Sequence, residues 1–511
     1  MTSEGTTIID ALDVITAQQP DAVALDYHSE RWTYRELSEA AARTATGLAS
    51  LGVGRGDRVT LFSQNVPEHV LVFLALARLG GINVSINPQW TASEARYLIE
   101  DAGSKVVIAS ADTLKAAQES IKGLGAKLFL VRRSTSEPGL HDVEVPDGVG
   151  DFEEVTSAPP MSEVFGSPSD PVTVWYTSGT TGRPKGAIWS QEVFLNNALV
   201  TAKDTYGVSP GDVALCPIPI AHNGLSVAAL GPMLAGGTFY LHRRVNPADM
   251  LRCMLDAGVT YMATAPAVMN ILMIHAAEAG VETLPAMKTI AMGGAVITTD
   301  MLARLQKFMP NCECGVIYAG SEGYYGTWLP SEAPEKLGSI GRPYLGMEWK
   351  VVDDLWNDVG VGEVGNIASR GSGCMLGYWN RPDVDKQVFH DGWMAIGDLG
   401  RMDEDGYLWF VGRDRDVIDS GGFNVYASEV ESVLATVGSV GTVGVVGIPD
   451  AVLGERVVAY VSPNPGAEID VAELEERAKD HLARYKQPSE YRVREALPIN
   501  SLGKVMKHLL D

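Results

Sequence analysis

The sequence predicts an α/β protein in two unequal parts: a large N-terminal domain of parallel-rich sheets covered by helices, and a small α+β domain at the C-terminal end. Three observations carry this reading. The chain has 511 residues, more than one hydrophobic core usually holds. In its first part, short apolar runs alternate with helix-like segments, the rhythm of β-α-β units. Towards the end the character changes: 441–448 and 456–461 read as strands and 471–484 as an amphipathic helix. That segment amounts to about a hundred residues, an ordinary domain size.

The elements follow in order. Thr33 and Glu36 have the spacing of a capping box, and Leu37, Ala41, Leu48 and Leu51 then recur at helical spacing until Gly52. Residues 59–62 form a short apolar strand. Residues 68–79 read as a helix stopped by Gly80 and Gly81, and 82–86 as the next strand. The segment 134–171 is rich in Ser, Pro, Glu and Asp and reads as a loop-rich connection. The apolar run 171–176 (PVTVWY) is a strand. Residues 412–416 (GRDRD) are polar and charged, as a linker between the two parts would be.

Composition excludes several classes. Apolar residues make up 46% and charged residues 20%, as in an ordinary globular protein. The formal charge of −24 argues against nonspecific binding to nucleic acid or to an anionic membrane. An anionic substrate would need a local positive site. Cysteines stand at 216, 253, 312, 314 and 374, in no zinc or disulfide pattern, and Cys312 and Cys314 read as core. The N-terminus shows no signal-peptide pattern, the most apolar helical run (70–79) is too short to span a bilayer, and the last residues form no peroxisomal tripeptide. A cytoplasmic location is the expectation.

Behind the strand 171–176 comes 177–186, TSGTTGRPKG. Glycine lets successive N–H groups turn toward one point, and hydroxyls and Lys185 add donors. Such a concavity suits polyphosphate. It is not the GxxxxGK[ST] loop, because Gly186 follows the lysine. The loop resembles the signature loop of the adenylate-forming superfamily, which includes acyl-CoA synthetases, peptide-synthetase adenylation domains and beetle luciferases. Further motifs of that superfamily follow in order along nearly the whole chain.

The resemblance implies a site. Thr177, Ser178, Gly179, Thr180, Thr181, Gly182 and Lys185 would cradle the phosphates of ATP. Residues 318–322, YAGSE, are similar to the motif Y-G-x-T-E, with Ala319 for Gly and Ser321 for Thr. Tyr318, Ala319, Gly320 and Ser321 would then contact the AMP part, and Glu322, with Thr180, would hold Mg²⁺, which takes oxygen ligands. Gly293, Gly294 and Ala295 match the glycine turn against adenine and the acyl group; in isolation they read as an ordinary strand-to-helix turn. Asp398 matches the aspartate that accepts the ribose hydroxyls, and Arg413 the arginine on the ribose side. The segments 338–343 and 371–382 read as structural landmarks.

The end of the chain matches too. Arg415 falls at the family's hinge, where Lys or Asp is usual. Residues 420–431, SGGFNVYASEVE, resemble the start of the mobile C-terminal domain, whose Gly421 and Gly422 would face CoA; Lys486 would lie near CoA as well. Lys504, in PINSLGKV, matches the lysine that bridges the substrate carboxylate and the α-phosphate. Ala221, His222, Asn223, Gly224 and Ala295 would line the acyl pocket, His222 without acid–base work. The expected domains are 1–412 for adenylation, 413–416 as hinge and 417–511 as lid.

The function expected is that of an ATP-dependent acid–CoA ligase, AMP- and pyrophosphate-forming, with Mg²⁺ and CoA. Small pocket residues favour a ring-bearing or branched carboxylate. A medium- or long-chain fatty acid, a carrier-protein thiol as acceptor, a luciferase-like monooxygenase and a non-catalytic nucleotide binder stay open; the intact Thr180, Lys185, Glu322, Asp398 and Lys504 speak against the last. Relatives in the superfamily are commonly monomers or homodimers.

Overall fold

The alternating segments form two large sheets packed about one helix. The computed structural model describes residues 5–28, 30–133, 143–177, 184–293, 297, 299–421, 423–450, 452–499 and 504–510. An eight-stranded sheet runs in the order 377–378, 186–190, 171–176, 82–86, 58–62, 106–110, 127–131, 150–151. From 171–176 to 150–151 its neighbours are parallel. A nine-stranded sheet runs 342–343, 323–328, 313–320, 289–292, 261–264, 213–216, 238–241, 23–27, 30–33, parallel from 313–320 to 23–27.

The helix Pro67–Leu79 explains why the sheets stack. All of its residues are buried. Val70, Phe73, Leu74 and Ala77 pack into a core with Trp175 and Trp189 of one sheet and Phe239 and Ala291 of the other. Val72, Ala75, Leu76 and Leu79 pack into a second core with Val59, Leu61 and Val106. From Val70 to Ala77 the helix is apolar on every face and buried on all sides, so the most apolar helical run of the chain is a core helix. Gly80, at φ +70°, closes it in the left-handed conformation that a residue without Cβ adopts freely. The helix Tyr34–Ser50 starts with the expected capping box of Thr33 and Glu36.

Some expectations were shorter or blunter than the chain. Within 134–171, residues 134–142 lie outside the described residues. The rest is not all loop: a short strand, Gly150–Asp151, joins the first sheet, and the helix Phe152–Thr156 follows. Phe152 and Val155, both buried, anchor it. The last amphipathic helix spans Val471–His481 rather than reaching 484, because Leu482 is extended and Arg484–Lys486 forms its own 3-10 turn. Cys312 and Cys314 are core residues, as read.

Two smaller, mainly antiparallel sheets complete the fold. The first joins 347–352, 365–371, 393–402 and 389–390, with 408–413 on 393–402. The second holds 423–426, 417–420, 454–463 and 440–450, with 490–493 parallel to 454–463. The 3-10 turn Asp414–Asp416 connects them. The helix Ala427–Leu434 of the C-terminal part touches the strand 408–413, where the Ser428 hydroxyl donates to the Val411 carbonyl. Among the described residues no helix is long and apolar enough to cross a membrane.

Candidate active site

Residues 171–176 and 186–190 are antiparallel neighbours, so the glycine-rich run joins two strands of a hairpin rather than a strand and a helix. Its described ends close on each other: Thr177 N–H donates to the Lys185 carbonyl at 2.9 Å. Ser178, Gly179, Thr180, Thr181 and Gly182 lie outside the described residues, as do Gly294, Ala295 and Gly422. Lys185 places its ammonium 5.0 Å from the centroid of the Tyr378 ring.

The YAGSE segment is also a hairpin. Strands Glu313–Gly320 and Gly323–Trp328 are antiparallel, Gly320 opposite Gly323, which leaves Ser321 and Glu322 as the tip. Gly323 sits at φ +154°, and a Cβ there would lie 2.4 Å from the Gly373 carbonyl oxygen. Only glycine fits that approach. The tip is held from several elements. Asn223 Nδ2 donates to the Gly320 carbonyl at 2.8 Å, Trp189 Nε1 to the Ser321 carbonyl at 2.9 Å, and Tyr378 OH to Glu322 Oε1 at 2.7 Å. Glu322 Oε2 takes no hydrogen bond from a described residue. A free carboxylate oxygen fits a hard cation such as Mg²⁺.

Tyr318, at the end of its strand, donates its hydroxyl to Asp398 Oδ2 at 2.8 Å. Asp398 lies opposite Arg413 across adjacent antiparallel strands, its Oδ1 2.9 Å from Arg413 Nε. The carboxylate is 4% exposed, and Oδ1 receives no directed hydrogen bond. A buried acceptor in that state has capacity for a hydroxyl. The residues present therefore fit the ribose of a nucleotide.

Lys504 joins this cluster from the C-terminal part. It keeps an exposed flank. Crowding by protein, and after it the Arg413 guanidinium, nevertheless lowers its ammonium below the ordinary value of 10.5, with Asp398 opposing. Arg415 stands in the connecting turn, its Nε 3.7 Å from Asp416 Oδ1. Thus Tyr318, Asp398 and Arg413 are brought together, with Lys504 and Glu322 in electrostatic reach of Arg413.

Other expected residues stand apart or are already engaged. Gly421, at φ +65°, donates to the Leu453 carbonyl within the C-terminal sheet, and Lys486 is held by both carboxylate oxygens of Glu429 at 2.7 Å. His222 Nδ1 accepts from Gly224 N–H at 3.4 Å, and burial pushes its imidazole down to about 4. It is neutral at physiological pH. Ala221 is buried beside it, and a Cβ on Gly224 would meet Ile218 at 3.0 Å. Sequence reasoning passed over Trp189 and Tyr378. Neither residue type signals a role at the 320–322 tip; only the strand register brings them there.

Comparison with known proteins decides the family. The AMP-binding enzyme model matches residues 12–379, and the model of the AMP-binding enzyme C-terminal domain matches 429–504. The chain belongs to the AMP-binding enzymes. It is 31% identical to the 3-[(3aS,4S,7aS)-7a-methyl-1,5-dioxo-octahydro-1H-inden-4-yl]propanoyl:CoA ligase of Mycobacterium tuberculosis, over 98% of this chain and 97% of that one. It is 30% identical to a feruloyl-CoA synthase of Amycolatopsis sp, over 96% and 95%. Among solved structures, ATP-bound MatB from Rhodopseudomonas palustris superposes with a TM-score of 0.88 at 27% identity, over 99% and 98% of the two chains. This AMP-binding enzyme is an acid–CoA ligase of the adenylate-forming superfamily, with ATP and CoA as co-substrates. Its fold is the large α/β domain and smaller C-terminal domain that the sequence predicted.

Proposed function

We propose that this ligase activates a ring-bearing or branched carboxylic acid in two half-reactions at the Tyr318–Asp398–Arg413–Lys504 cluster. The observation that carries the site is the buried Asp398 carboxylate, held by Tyr318 and faced by Arg413, with Lys504 beside it. In the first step a carboxylate oxygen of the acid forms a bond to the α-phosphorus of ATP, and the bond to pyrophosphate breaks. In the second, the CoA thiolate bonds to the acyl carbon and AMP leaves.

The residues divide the work. Asp398 accepts from the ribose hydroxyls and Arg413 supports it. Lys504 places an ammonium between two anions, lowering their repulsion as the new bond forms. The loop 177–185 cradles the phosphates, with Lys185 described and Thr180 assigned by resemblance. Bound Mg²⁺ would neutralise phosphate charge, and Glu322 is the residue that would hold it. The C-terminal part, 417–511, is read as a lid that turns about 413–416, so that Lys504 serves the first step and the face of Gly421 and Gly422 the second. Lys504 in electrostatic reach of Asp398 and Arg413 supports an arrangement suited to the first step.

The relatives support the class of acid. Three of those similar to this chain are named for ring-bearing acids: the indene-propanoyl ligase, the feruloyl-CoA synthase and an indoleacetate–CoA ligase. A second reading is a long-chain fatty acid, since FadD13 of Mycobacterium tuberculosis, 31% identical, is named a long-chain-fatty-acid–CoA ligase. A cytoplasmic enzyme fits the five free cysteines. The deciding experiment measures pyrophosphate release from Mg·ATP over aromatic, alicyclic and fatty acids, each with and without CoA. Multiple turnovers only with CoA, strongest for one ring-bearing or branched acid, are expected. A preference for fatty acids would transfer the assignment to the second reading.

A further inference from the structure

The tip that carries Glu322 is fixed by groups to which the two half-reactions give no task. Tyr378 donates its hydroxyl to Glu322 Oε1 at 2.7 Å, Trp189 donates Nε1–H to the Ser321 carbonyl at 2.9 Å, and Met375 N–H donates to the Glu322 carbonyl at 2.8 Å. Trp189 and Tyr378 come from hydrogen-bonded neighbours: strand 377–378 pairs with 186–190, Tyr378 opposite Ala187 and Gly377 opposite Ile188. Strand 186–190 begins where the loop 177–185 ends, and Lys185 at that end lays its ammonium over the Tyr378 ring. One pair of strands therefore meets both the exit of the phosphate loop and the carboxylate at the tip.

We propose that Tyr378, assisted by Trp189, is a positioning residue for Glu322: it binds one carboxylate oxygen, leaves the other to ligate Mg²⁺, and sets that ligand in register with the phosphate loop. An unheld glutamate would populate several rotamers, and fixing one on metal binding costs side-chain entropy. A hydrogen bond to the non-ligating oxygen removes most of that cost beforehand, as partners behind metal ligands generally do. Tyr378 is well placed for it. Tyr378 is 4% exposed, and the pairing of its strand with 186–190 holds the hydroxyl at the carboxylate. The inference rests on Glu322 as the metal carboxylate.

The test uses the full-length enzyme with αβ-methylene-ATP, counting bound Mn²⁺ by EPR, beside pyrophosphate release at graded Mg²⁺. In Tyr378→Phe, which removes one hydroxyl and keeps the ring beneath Lys185, the Mn²⁺ Kd is expected to rise about tenfold, the lower end of what such partners contribute. Pyrophosphate release should recover when Mg²⁺ is raised by the same factor; a merely structural role would depress the rate at every Mg²⁺ concentration. Trp189→Phe should move Mn²⁺ binding in the same direction. Unchanged Mn²⁺ binding in Tyr378→Phe, with Glu322→Gln weakened, overturns the positioning role alone. Unchanged binding in Glu322→Gln overturns the metal assignment itself.

Discussion

Asp398 and Arg413 face each other across two antiparallel strands, Oδ1 2.9 Å from Nε, while Tyr318 holds the other carboxylate oxygen. On the proposed reading the pair serves a ribose: charge is neutralised while Oδ1 keeps room for a hydroxyl. In Asp398→Asn the KM for ATP should rise about ten- to hundredfold, the range for hydrogen bonds to a charged group. Initial-rate kinetics with the acid held saturating checks it; an ATP KM within twofold of wild type would remove Asp398 from the nucleotide site.

Lys504 makes a different prediction for each half-reaction. Lys504→Ala should lose adenylate formation by about a hundredfold or more, while thioester formation from supplied acyl-adenylate falls far less. The pH dependence has a sign. The protonated ammonium is the useful form, and crowding together with Arg413 lowers its pKa below 10.5. Adenylation should therefore decline on the alkaline side before an ordinary lysine would titrate. In Lys504→Arg, whose charge persists, that alkaline limb should vanish from stopped-flow adenylation rates. An identical limb in both enzymes would assign it to another group.

Asn223 donates a side-chain N–H to the Gly320 carbonyl at 2.8 Å, and its main-chain carbonyl accepts from Tyr324 OH at 3.0 Å. The side chain therefore clasps the 320–322 tip. Asn223→Ala should lower kcat/KM several-fold for every acid, as expected for one lost hydrogen bond of about 1 kcal/mol. The ratio between an oxygenated acid and its plain counterpart should stay constant, and a shifted ratio would return Asn223 to the pocket wall.

Buried imidazoles set the acid limit of stability. Burial lowers His69 from 6.5 to about 3 and His242 to about 4. The folded state keeps both neutral, whereas the unfolded chain takes up protons near pH 6.5. Their contribution is complete above pH 6.5 and is lost as pH falls from there toward about 4 and 3. The loss is about 1 kcal/mol per pH unit for each group. Urea unfolding between pH 7 and pH 5 should show this slope, and His69→Gln should make it shallower. A slope unaltered by that substitution would locate the acid sensitivity elsewhere.

The tip 320–322 shows how far the sequence could be read. YAGSE was recognisable because its residues are contiguous, and so were the helix starts, where a Thr and a Glu three residues apart cap each other. Trp189 and Tyr378 were not recognisable. Trp189 lies 132 positions from Ser321, and Tyr378 lies 56 from Glu322. Nothing local marks a tryptophan whose N–H or a tyrosine whose O–H will be needed there. The short helix Phe152–Thr156 was hidden for another reason: only Phe152 and Val155 signal it, in a segment otherwise polar.

By itself the sequence determined the α/β class and the division into a large and a small part, and it singled out the loop 177–186 and Tyr318, Glu322, Asp398, Arg413 and Lys504 as candidates. Each depends on local periodicity or on a contiguous motif, and such signals survive without knowledge of the fold. The tertiary structure alone decided that strands 171–176 and 186–190 pair antiparallel, that Asn223 clasps a backbone carbonyl, that Lys486 belongs to Glu429, and that Tyr378 stands behind Glu322. Those facts depend on packing between distant segments and, at Tyr378, on strand register. A shift of one residue would turn every such side chain to the opposite face.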